Sequence, residues 1–305
     1  MKNKVSEILS NYSHESLGVR SNLYRLLSQG NLSGTGNLII YPVDQGFEHG
    51  PRAFLKNKDA FDPTYHPKLA IDAGLSAYAA PMGWLEAGAD SFAGQIPLIL
   101  KINSSNQLSP LPADQAITSS IDTALRIGCI GIGFTIYPGS SCNLDQLRDL
   151  SILTEEARQK GLIVVVWSYP RGETIDKESE TSLDTIAYGA HMAAQMGAHI
   201  IKVKLPSEKI SGKNSKKDYE NSDVPFKDLS DRVSHVVKSC FNGKRIVIFS
   251  GGEAKSKEDV INDAKAILKG GGNGSIIGRN CFQRSRDESL ELLKEMTKIF
   301  KSNEI

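Results

Sequence analysis

Two lysines end an apolar stretch, where a buried amine could do covalent chemistry. The run His199-Ile200-Ile201-Lys202-Val203-Lys204 reads as a strand, along which side chains alternate, so Lys202 and Lys204 face the same way. Burial makes a charged amine costly and lowers its pKa towards the neutral form that attacks a carbonyl. The pattern therefore predicts imine chemistry, unless one lysine only pairs with Asp44 or binds phosphate. The residues alone do not choose between Lys202 and Lys204.

A tyrosine and an arginine end the preceding apolar run. Val164-Val165-Val166-Trp167-Ser168-Tyr169 is followed by Pro170-Arg171-Gly172, and strand alternation puts Trp167 and Tyr169 on one face. A phenol beside an imine can exchange protons with substrate hydroxyl groups, and a neighbouring cation would lower its pKa. Trp167 either contacts substrate or only packs, and Arg171 either serves the substrate or braces Tyr169.

Asp44 and Tyr137 also lie at the ends of apolar runs. Tyr137 is a second candidate of the Tyr169 kind. Asp44 either assists proton transfers or is a structural partner for a lysine or a turn amide. Glu48 and His49 follow it, but none of the 6 histidines forms an HxH or HExxH arrangement, so neither a metal nor another cofactor is expected.

Two glycine-bearing turns could hold an anion. Ser250-Gly251-Gly252 and Gly278-Arg279-Asn280 each follow an apolar run. Glycine lets backbone N–H groups approach an oxyanion, and barrels often hold phosphate in their last two loops. The alternative is a tight turn without a ligand.

Short apolar runs separated by amphipathic segments must position these residues. Eight runs are present: Asn37 to Asp44, Leu75 to Pro81, Pro97 to Lys101, Ile130 to Tyr137, Leu162 to Tyr169, His199 to Lys204, Arg245 to Ser250 and Ser275 to Gly278. Alternating strands and helices indicate an α/β protein with parallel strands, and eight units favour a single-domain (β/α)8 TIM barrel over an open doubly wound sheet. In such barrels the chemistry gathers at the C-terminal ends of the strands.

The connecting segments show helical spacing in two places. Leucines recur in one and small apolar residues in the other: Leu144, Leu147, Leu150 and Leu153, then Leu183, Ile186, Ala190 and Ala193. We expect an N-terminal helical extension over residues 1–36 and the barrel over residues 37–305. A polar insertion at about 206–223, with four lysines, is either a solvated mobile loop or a lid that draws anionic substrate to the barrel.

Charge and cysteine usage limit the partners. Lys plus Arg, 36, nearly balances Asp plus Glu, 35, which favours neither a nucleic acid nor an anionic membrane. The four cysteines (Cys129, Cys142, Cys240 and Cys281) show no CxxC pairing and read as reduced thiols of a cytoplasmic protein. The first 30 residues contain no apolar run of signal-peptide length.

With these motifs assembled, the chain resembles class I fructose-bisphosphate aldolases of the archaeal and bacterial type. The resemblance runs from about Leu38 to Leu293 and rests on five motifs: Trp167-Ser168-Tyr169-Pro170-Arg171-Gly172, Ile200-Ile201-Lys202, Ser250-Gly251-Gly252, Gly278-Arg279-Asn280 and Asp44-Gln45-Gly46. Gln45 stands where many members have histidine, and the insertion resembles the longer bacterial branch.

The resemblance implies an aldehyde-lyase of glycolysis and gluconeogenesis that reversibly cleaves fructose 1,6-bisphosphate to dihydroxyacetone phosphate and glyceraldehyde 3-phosphate. It makes Lys202 the Schiff-base lysine, Tyr169 the proton donor and acceptor, and Asp44 an assistant in proton transfer. By the same mapping Trp167 contacts substrate, with Arg171, Lys204 and Tyr137 as further substrate candidates. The loops of Ser250, Gly251 and Gly252 and of Gly278 and Arg279 would hold the 1-phosphate.

The resemblance also implies a homo-oligomer, possibly a decamer. Two other functions stay open. One is a transaldolase-like or amino-sugar synthase that forms an imine with another ketose phosphate. The other is a non-catalytic phosphosugar-binding barrel, which would not need both Tyr169 and Lys202.

Overall fold

The eight apolar runs form parallel strands that close into a barrel, in a computed structural model that describes residues 4–88, 92–108 and 112–302. The strands are β1 Leu38–Pro42, β2 Ala77–Ala80, β3 Leu98–Lys101, β4 Gly131–Ile136, β5 Ile163–Ser168, β6 Ile200–Lys204, β7 Ile246–Ser250 and β8 Gly274–Ile276. Each pairs with its neighbour in the chain, and β8 pairs with β1. The predicted (β/α)8 barrel is confirmed, and the open sheet is excluded.

Helices and turns connect and cover the strands. The α-helices of the described ranges are α1 Lys4–Ser10, α2 Leu17–Leu27, α3 Gln45–His49, α4 Tyr65–Asp72, α5 Met82–Gly88, α6 Ile121–Ile127, α7 Asn143–Gln159, α8 Leu183–Gln195, α9 Lys213–Glu220, α10 Leu229–Ser239, α11 Lys257–Lys269, α12 Arg279–Phe282 and α13 Arg286–Lys301. Four 3-10 turns with both ends in the described ranges (Gly30–Leu32, Pro51–Phe54, Lys58–Phe61 and Ser179–Thr181) and a short antiparallel pair, Asn103–Ser104 with Ala116–Ile117, lie between them.

The helical spacing is confirmed. The leucine pattern falls in α7 and the second pattern in α8. Each helix is followed by a glycine with positive φ, Gly161 at 78° and Gly197 at 84°. Glycine adopts this conformation without steric cost, so the chain can turn sharply from each helix into the next strand.

Strand alternation divides the apolar residues into two cores. Inward side chains such as Ile40, Ile99, Val165 and Ile248 fill the barrel. The intervening outward side chains pack against the surrounding helices. This alternation decides which residues at the strand ends face the barrel axis.

The first two helices contribute to the inner core. Buried side chains of α1 and α2, including Ile8 and Leu23, pack with the inward barrel residues. Between the two helices, Tyr12 Oη donates a hydrogen bond to the His199 carbonyl at 2.6 Å and accepts one from the Ile246 N–H at 3.1 Å. Because His199 precedes β6 and Ile246 begins β7, α1 and α2 lie at the N-terminal end of the barrel, opposite the strand ends that carry the predicted chemistry.

The polar insertion is not an irregular loop throughout. Lys213–Glu220 forms α9. A hydrogen bond of 2.6 Å between Tyr219 Oη and His235 Nε2 anchors this helix. The Asp184 carboxylate accepts hydrogen bonds from the N–H groups of Ser211 and Gly212 at 3.0 and 2.9 Å. These tertiary contacts order a segment whose sequence carries no apolar period.

All four cysteines are free thiols. Among the described residues, no helix combines the length and the apolar character needed to cross a bilayer.

Candidate active site

A cavity of about 500 Å³ opens at the C-terminal ends of the strands. Residues near the C-terminal ends of β1, β6, β7 and β8, and residues that follow these strands and β5, form most of its wall. It brings together these predicted site residues: Asp44, Tyr169, Arg171, Lys202, Lys204, Ser250, Gly251, Gly252, Gly278 and Arg279. Trp167 and Tyr137 do not line it.

Lys202 presents an unpaired amine to this cavity. Its side chain is 2% exposed, and its Nζ lies 5.0 Å from the Trp167 ring centroid and 5.1 Å from that of Tyr169. Within the part of the chain that the structure describes, this Nζ makes no direct hydrogen bond or ion pair. Burial lowers the pKa of Lys202 to about 8, although Asp44 opposes the shift. A substantial neutral fraction is therefore available near neutrality.

Lys204 differs from Lys202 because it has a counter-charge. Its Nζ lies 2.6 Å from Glu180 Oε2, and Glu180 also contacts Lys177 at 3.3 Å. Burial lowers the pKa of Lys204, while the Glu180 carboxylate raises it. The amine of this pair that is free to attack a carbonyl is that of Lys202.

Tyr169 lies beside both lysines. Its ring centroid is 5.1 Å from Lys202 Nζ and 5.9 Å from Lys204 Nζ. The Arg279 cation lowers the pKa of this phenol, as expected, but other contributions outweigh it. Burial raises that pKa, Asp44 raises it further, and the contributions of Ser250 and Arg279 that lower it are smaller. The phenol thus stays protonated at neutral pH and can donate a proton.

Trp167 forms the floor below Lys202. The two residues pair in register on β5 and β6, and the indole is fully buried. Its ring lies over Gly133 of β4, where an added Cβ would come within 2.2 Å of ring atoms. Trp167 therefore has a packing role against Gly133, and its ring also lies against the Lys202 amine.

Asp44 aims a carboxylate oxygen into the site. It precedes α3 without capping it by a side-chain hydrogen bond, and its Oδ1 is buried without a partner among the described residues. An unsatisfied buried acceptor is costly. A substrate hydroxyl group would satisfy it.

Arg171 crosses the mouth of the barrel to a residue that the sequence interpretation had considered only as a metal ligand. Its Nη1 lies 2.8 Å from Glu48 Oε1, and its guanidinium lies 5.1 Å from the Tyr137 ring centroid. Burial alone would lower the pKa of Arg171, but Tyr137 and Glu48 raise it. Tyr137 Oη accepts a hydrogen bond from Gln115 at 2.6 Å and lines a neighbouring cavity of about 300 Å³.

The two glycine-bearing turns meet at one side of the cavity. Asn280 links them, because its Nδ2 donates to the carbonyl of Gly251 at 3.4 Å and to that of Glu253 at 3.1 Å. Gly252 has a φ of 69°, which favours glycine. At Gly278 a Cβ would lie 2.7 Å from the Pro42 carbonyl oxygen, so only glycine fits against β1. The sequence interpretation did not assign Asn280 this role.

Lys101 is the largest omission from the predicted site. It ends β3, is 3% exposed, and its Nζ lies 5.9 Å from the Trp167 ring centroid. The signal was present in the sequence, since Lys101 is in phase with the inward-facing Ile99 two residues earlier.

The insertion does not contribute to the cavity wall. None of its lysines lines the cavity, and Lys209 pairs with Glu178 at 3.0 Å. Among the described residues, no group of three or more His, Cys, Asp or Glu side chains is placed to hold a metal ion.

Comparison with known proteins identifies relatives of this barrel. The DeoC/LacD family aldolase profile matches residues 38–284. The probable fructose-bisphosphate aldolase class 1 of Chlamydia muridarum is 32% identical over 309 residues, covering 97% of this chain and 88% of the relative. The fructose-bisphosphate aldolase class 1 of Thermoproteus tenax is 34% identical over 250 residues, covering 82% and 84%.

Solved structures agree with this relationship. An archaeal fructose-1,6-bisphosphate aldolase, solved with its catalytic lysine covalently bound to the carbinolamine intermediate of the substrate, has a TM-score of 0.77 and 30% identity. The match covers 91% of this chain and 98% of that protein. A fructose-bisphosphate aldolase from Slackia heliotrinireducens has a TM-score of 0.78 at 24% identity, which shows the fold alone.

Proposed function

Because this chain belongs to the DeoC/LacD aldolase family, we propose that it is a class I fructose-bisphosphate aldolase. It is a lyase that forms a Schiff base and reversibly cleaves fructose 1,6-bisphosphate to dihydroxyacetone phosphate and glyceraldehyde 3-phosphate. The observation that carries the proposal is the Lys202 amine, which is buried, unpaired among the described residues and set 5.1 Å from the Tyr169 ring centroid.

Lys202 begins the reaction. Its neutral Nζ adds to the C2 carbonyl of the ketose, and the carbinolamine loses water to give an iminium ion. The aromatic floor of Trp167 faces the resulting positive charge at a distance of 5.0 Å from Nζ, which favours the cation.

Tyr169 carries the proton in the cleavage step. Its phenol first donates its proton to the hydroxyl group that leaves the carbinolamine as water. The resulting phenolate then removes the C4 hydroxyl proton, the C3–C4 bond breaks, and the electrons of that bond pass to the iminium to give an enamine. Glyceraldehyde 3-phosphate leaves. The phenol then returns the proton to C3, and water hydrolyses the iminium to release dihydroxyacetone phosphate. The unpaired Oδ1 of Asp44 accepts a hydrogen bond from a substrate hydroxyl and assists these transfers.

The glycine-bearing turns bind the 1-phosphate. The backbone of Ser250, Gly251 and Gly252 supplies donors on one side, and Gly278 with Arg279 supplies donors and a positive charge on the other. Arg171 and Lys204, already held by Glu48 and Glu180, present positive charge to the rest of the sugar phosphate. Tyr137 positions Arg171 by stacking.

We include in this proposal a reaction without a metal ion, a homo-oligomeric assembly and a cytoplasmic location. The four free thiols are consistent with a reducing compartment. The near balance of 36 basic and 35 acidic residues gives no support to a nucleic acid or membrane partner.

A substrate panel tests the proposal. Cleavage of fructose 1,6-bisphosphate is measured beside other phosphorylated ketoses, in excess EDTA, with Lys202→Met as the control. We expect turnover of fructose 1,6-bisphosphate in EDTA and none by the variant. Turnover of another ketose phosphate alone would reassign the substrate, and complete loss in EDTA that zinc reverses would reject the metal-free mechanism.

A further inference from the structure

The cations of the main cavity differ in whether a carboxylate already holds them. Arg279, in the second glycine-bearing turn, makes no ion pair and no side-chain hydrogen bond within the described part of the chain. Lys204 is paired with Glu180 at 2.6 Å, and Arg171 with Glu48 at 2.8 Å. An anion that meets Arg279 therefore finds a free charge, whereas an anion that meets Lys204 must compete with a carboxylate.

Glu180 is an acidic residue with little exposure to solvent. It is 7% exposed, and its Oε2 lies 2.6 Å from Lys204 Nζ and 3.3 Å from Lys177 Nζ. Burial alone would raise the pKa of Glu180, but the two lysines outweigh it and lower that pKa. The carboxylate is therefore charged at neutral pH and holds both amines.

The 3-10 turn that carries Glu180 is fixed on both sides. The Ser179 N–H donates to Asp176 Oδ1 at 2.7 Å. The N–H and the hydroxyl group of Ser207 donate to the Thr181 carbonyl at 2.7 and 3.0 Å, which joins the segment after β5 to the segment after β6. Because the turn is held in this way, an anion can free the lysines only by displacing the carboxylate side chain itself.

Lys204 lies on the path that the sugar chain would take. It is two residues beyond Lys202 on β6, and its Nζ is 5.9 Å from the Tyr169 ring centroid. In the proposed reaction C2 is bound to Lys202, the C4 hydroxyl group faces Tyr169, and the 1-phosphate lies at the turn of Arg279. The far end of the ketose, with its 6-phosphate, is then left for Lys204 and Lys177.

We propose that Glu180 is a positioning residue that sets substrate specificity through Lys204: it occupies the lysines that would bind the 6-phosphate, so that ketose 1-phosphates are also substrates. The inference rests on the proposed function. The 6-phosphate gains an ion pair with Lys204 only by breaking one that already exists, and it meets the Glu180 charge at short range. The 1-phosphate faces no such exchange, since Arg279 is unpaired among the described residues.

The test compares fructose 1,6-bisphosphate with fructose 1-phosphate in Glu180→Gln. The wild type should cleave both compounds, and failure to cleave the monophosphate would overturn the proposal. The amide keeps the size of the side chain but removes its charge. We expect the KM for the bisphosphate to fall and the ratio of kcat/KM, bisphosphate over monophosphate, to rise about tenfold. An unchanged or lower ratio would overturn the proposal.

Glu178→Gln is the matched control. Glu178 is 84% exposed and pairs with Lys209 at 3.0 Å, and neither residue lines the cavity. The substitution removes the same charge two residues away, and its ratio should stay within about twofold of wild type. A change as large as that of Glu180→Gln would reject a specific role for Glu180.

Glu180→Asp keeps the charge and shortens the side chain. Its ratio should lie closer to that of the wild type than to that of Glu180→Gln. A ratio as high as that of the amide variant would assign the effect to side-chain length rather than charge, and would overturn the proposal.

Lys204→Met tests the same exchange without depending on the folding of the Glu180 variants. It removes the cation and leaves the carboxylate, so the ratio should fall by about fivefold or more. An equal loss for both substrates would place Lys204 at the 1-phosphate, beside Ser250 with which it pairs in register, and would overturn the proposal. If the wild type cleaves neither compound and forms no imine at Lys202, the proposed function itself fails.

Discussion

Lys202 Nζ lies 5.1 Å from the centre of the Tyr169 ring, and the two side chains project from adjacent strands into one cavity. The pairing follows from strand alternation, because Trp167 lies opposite Lys202 in register and Tyr169 is two residues further along. The barrel rather than a loop thereby holds together the two groups that we propose as nucleophile and proton carrier. Their separate contributions can be measured.

Tyr169→Phe should separate imine formation from cleavage. The variant keeps the aromatic ring beside Lys202 but lacks the group that takes the C4 proton. We expect borohydride still to trap the ketose on Lys202, because water can replace the phenol in the slower dehydration of the carbinolamine, while kcat falls by about 10²–10⁴. Intact-protein mass spectrometry measures the imine trapping, and steady-state kinetics measures the fall in kcat. Wild-type turnover by the variant would remove Tyr169 from the mechanism.

The rate should rise with pH as Lys202 loses its proton. Burial lowers the pKa of Lys202 from 10.5 to about 8, so the neutral amine increases as pH rises through that value. At pH 7 about one tenth of the amine is neutral, far more than for an exposed lysine. We expect an acid limb with a midpoint near pH 8 in single-turnover imine formation. A midpoint near 10 would mean that burial does not activate this lysine.

Gly133→Ala should disturb the floor of the site. The added methyl group would come within 2.2 Å of the Trp167 ring, so the indole or β4 must move. We expect a loss of about 1–3 kcal/mol in the free energy of unfolding and slower imine formation. Gly83→Ala in α5 is the matched control, since a Cβ there meets nothing within 4 Å. Equal effects of the two substitutions in chemical denaturation would contradict the packing.

Glu15→Gln should weaken the N-terminal end of the barrel in a pH-dependent way. Glu15 lies 2.7 Å from Arg158 and 3.3 Å from His199. Burial alone would raise the pKa of Glu15, but His199 and Arg158 outweigh it and lower that pKa from 4.5 to about 2. The carboxylate therefore contributes stability that is fully present above pH 4.5 and lost as pH falls towards 2.

The expected cost of Glu15→Gln at pH 7 is about 2–3 kcal/mol in the free energy of unfolding. Urea denaturation at several pH values measures it, and the difference from wild type should shrink below pH 4.5. Glu7→Gln is the control, because its partner Lys4 and Glu7 are both about half exposed, at 52% and 55%. A difference for Glu15→Gln that does not change with pH would contradict the ionic origin of this stability.

The sequence was sufficient for the barrel and for most residues of the cavity. Period-two alternation and the rule that barrel chemistry lies at strand ends placed Lys202, Tyr169 and Asp44 together without any tertiary information. The ion pairs of the site could not be predicted from the sequence, because they depend on contacts between distant segments. Glu48 reaches Arg171 across 123 residues, and Lys204 finds Glu180 only after the 3-10 turn folds back.

Two features could not be predicted from the sequence, for the same physical reason. The helix α9 is ordered by Tyr219 and by hydrogen bonds to Asp184, which a local apolar period does not reveal. The raised pKa of Tyr169 reflects burial and the Asp44 charge, both of which depend on the closed barrel. The position of Lys101 could have been predicted, because it lies two residues after Ile99 on β3 and therefore faces the inside of the barrel.

Borohydride trapping with peptide mapping tests the central claim most directly. The protein is mixed with fructose 1,6-bisphosphate or dihydroxyacetone phosphate, reduced, digested and analysed by mass spectrometry. We predict an adduct with the mass of the reduced ketose-phosphate imine on the peptide that contains Lys202, assigned to Lys202 by fragmentation and absent from Lys202→Met. An adduct on Lys204 would move the nucleophile two residues along β6. The absence of an adduct with either compound would contradict the aldolase mechanism.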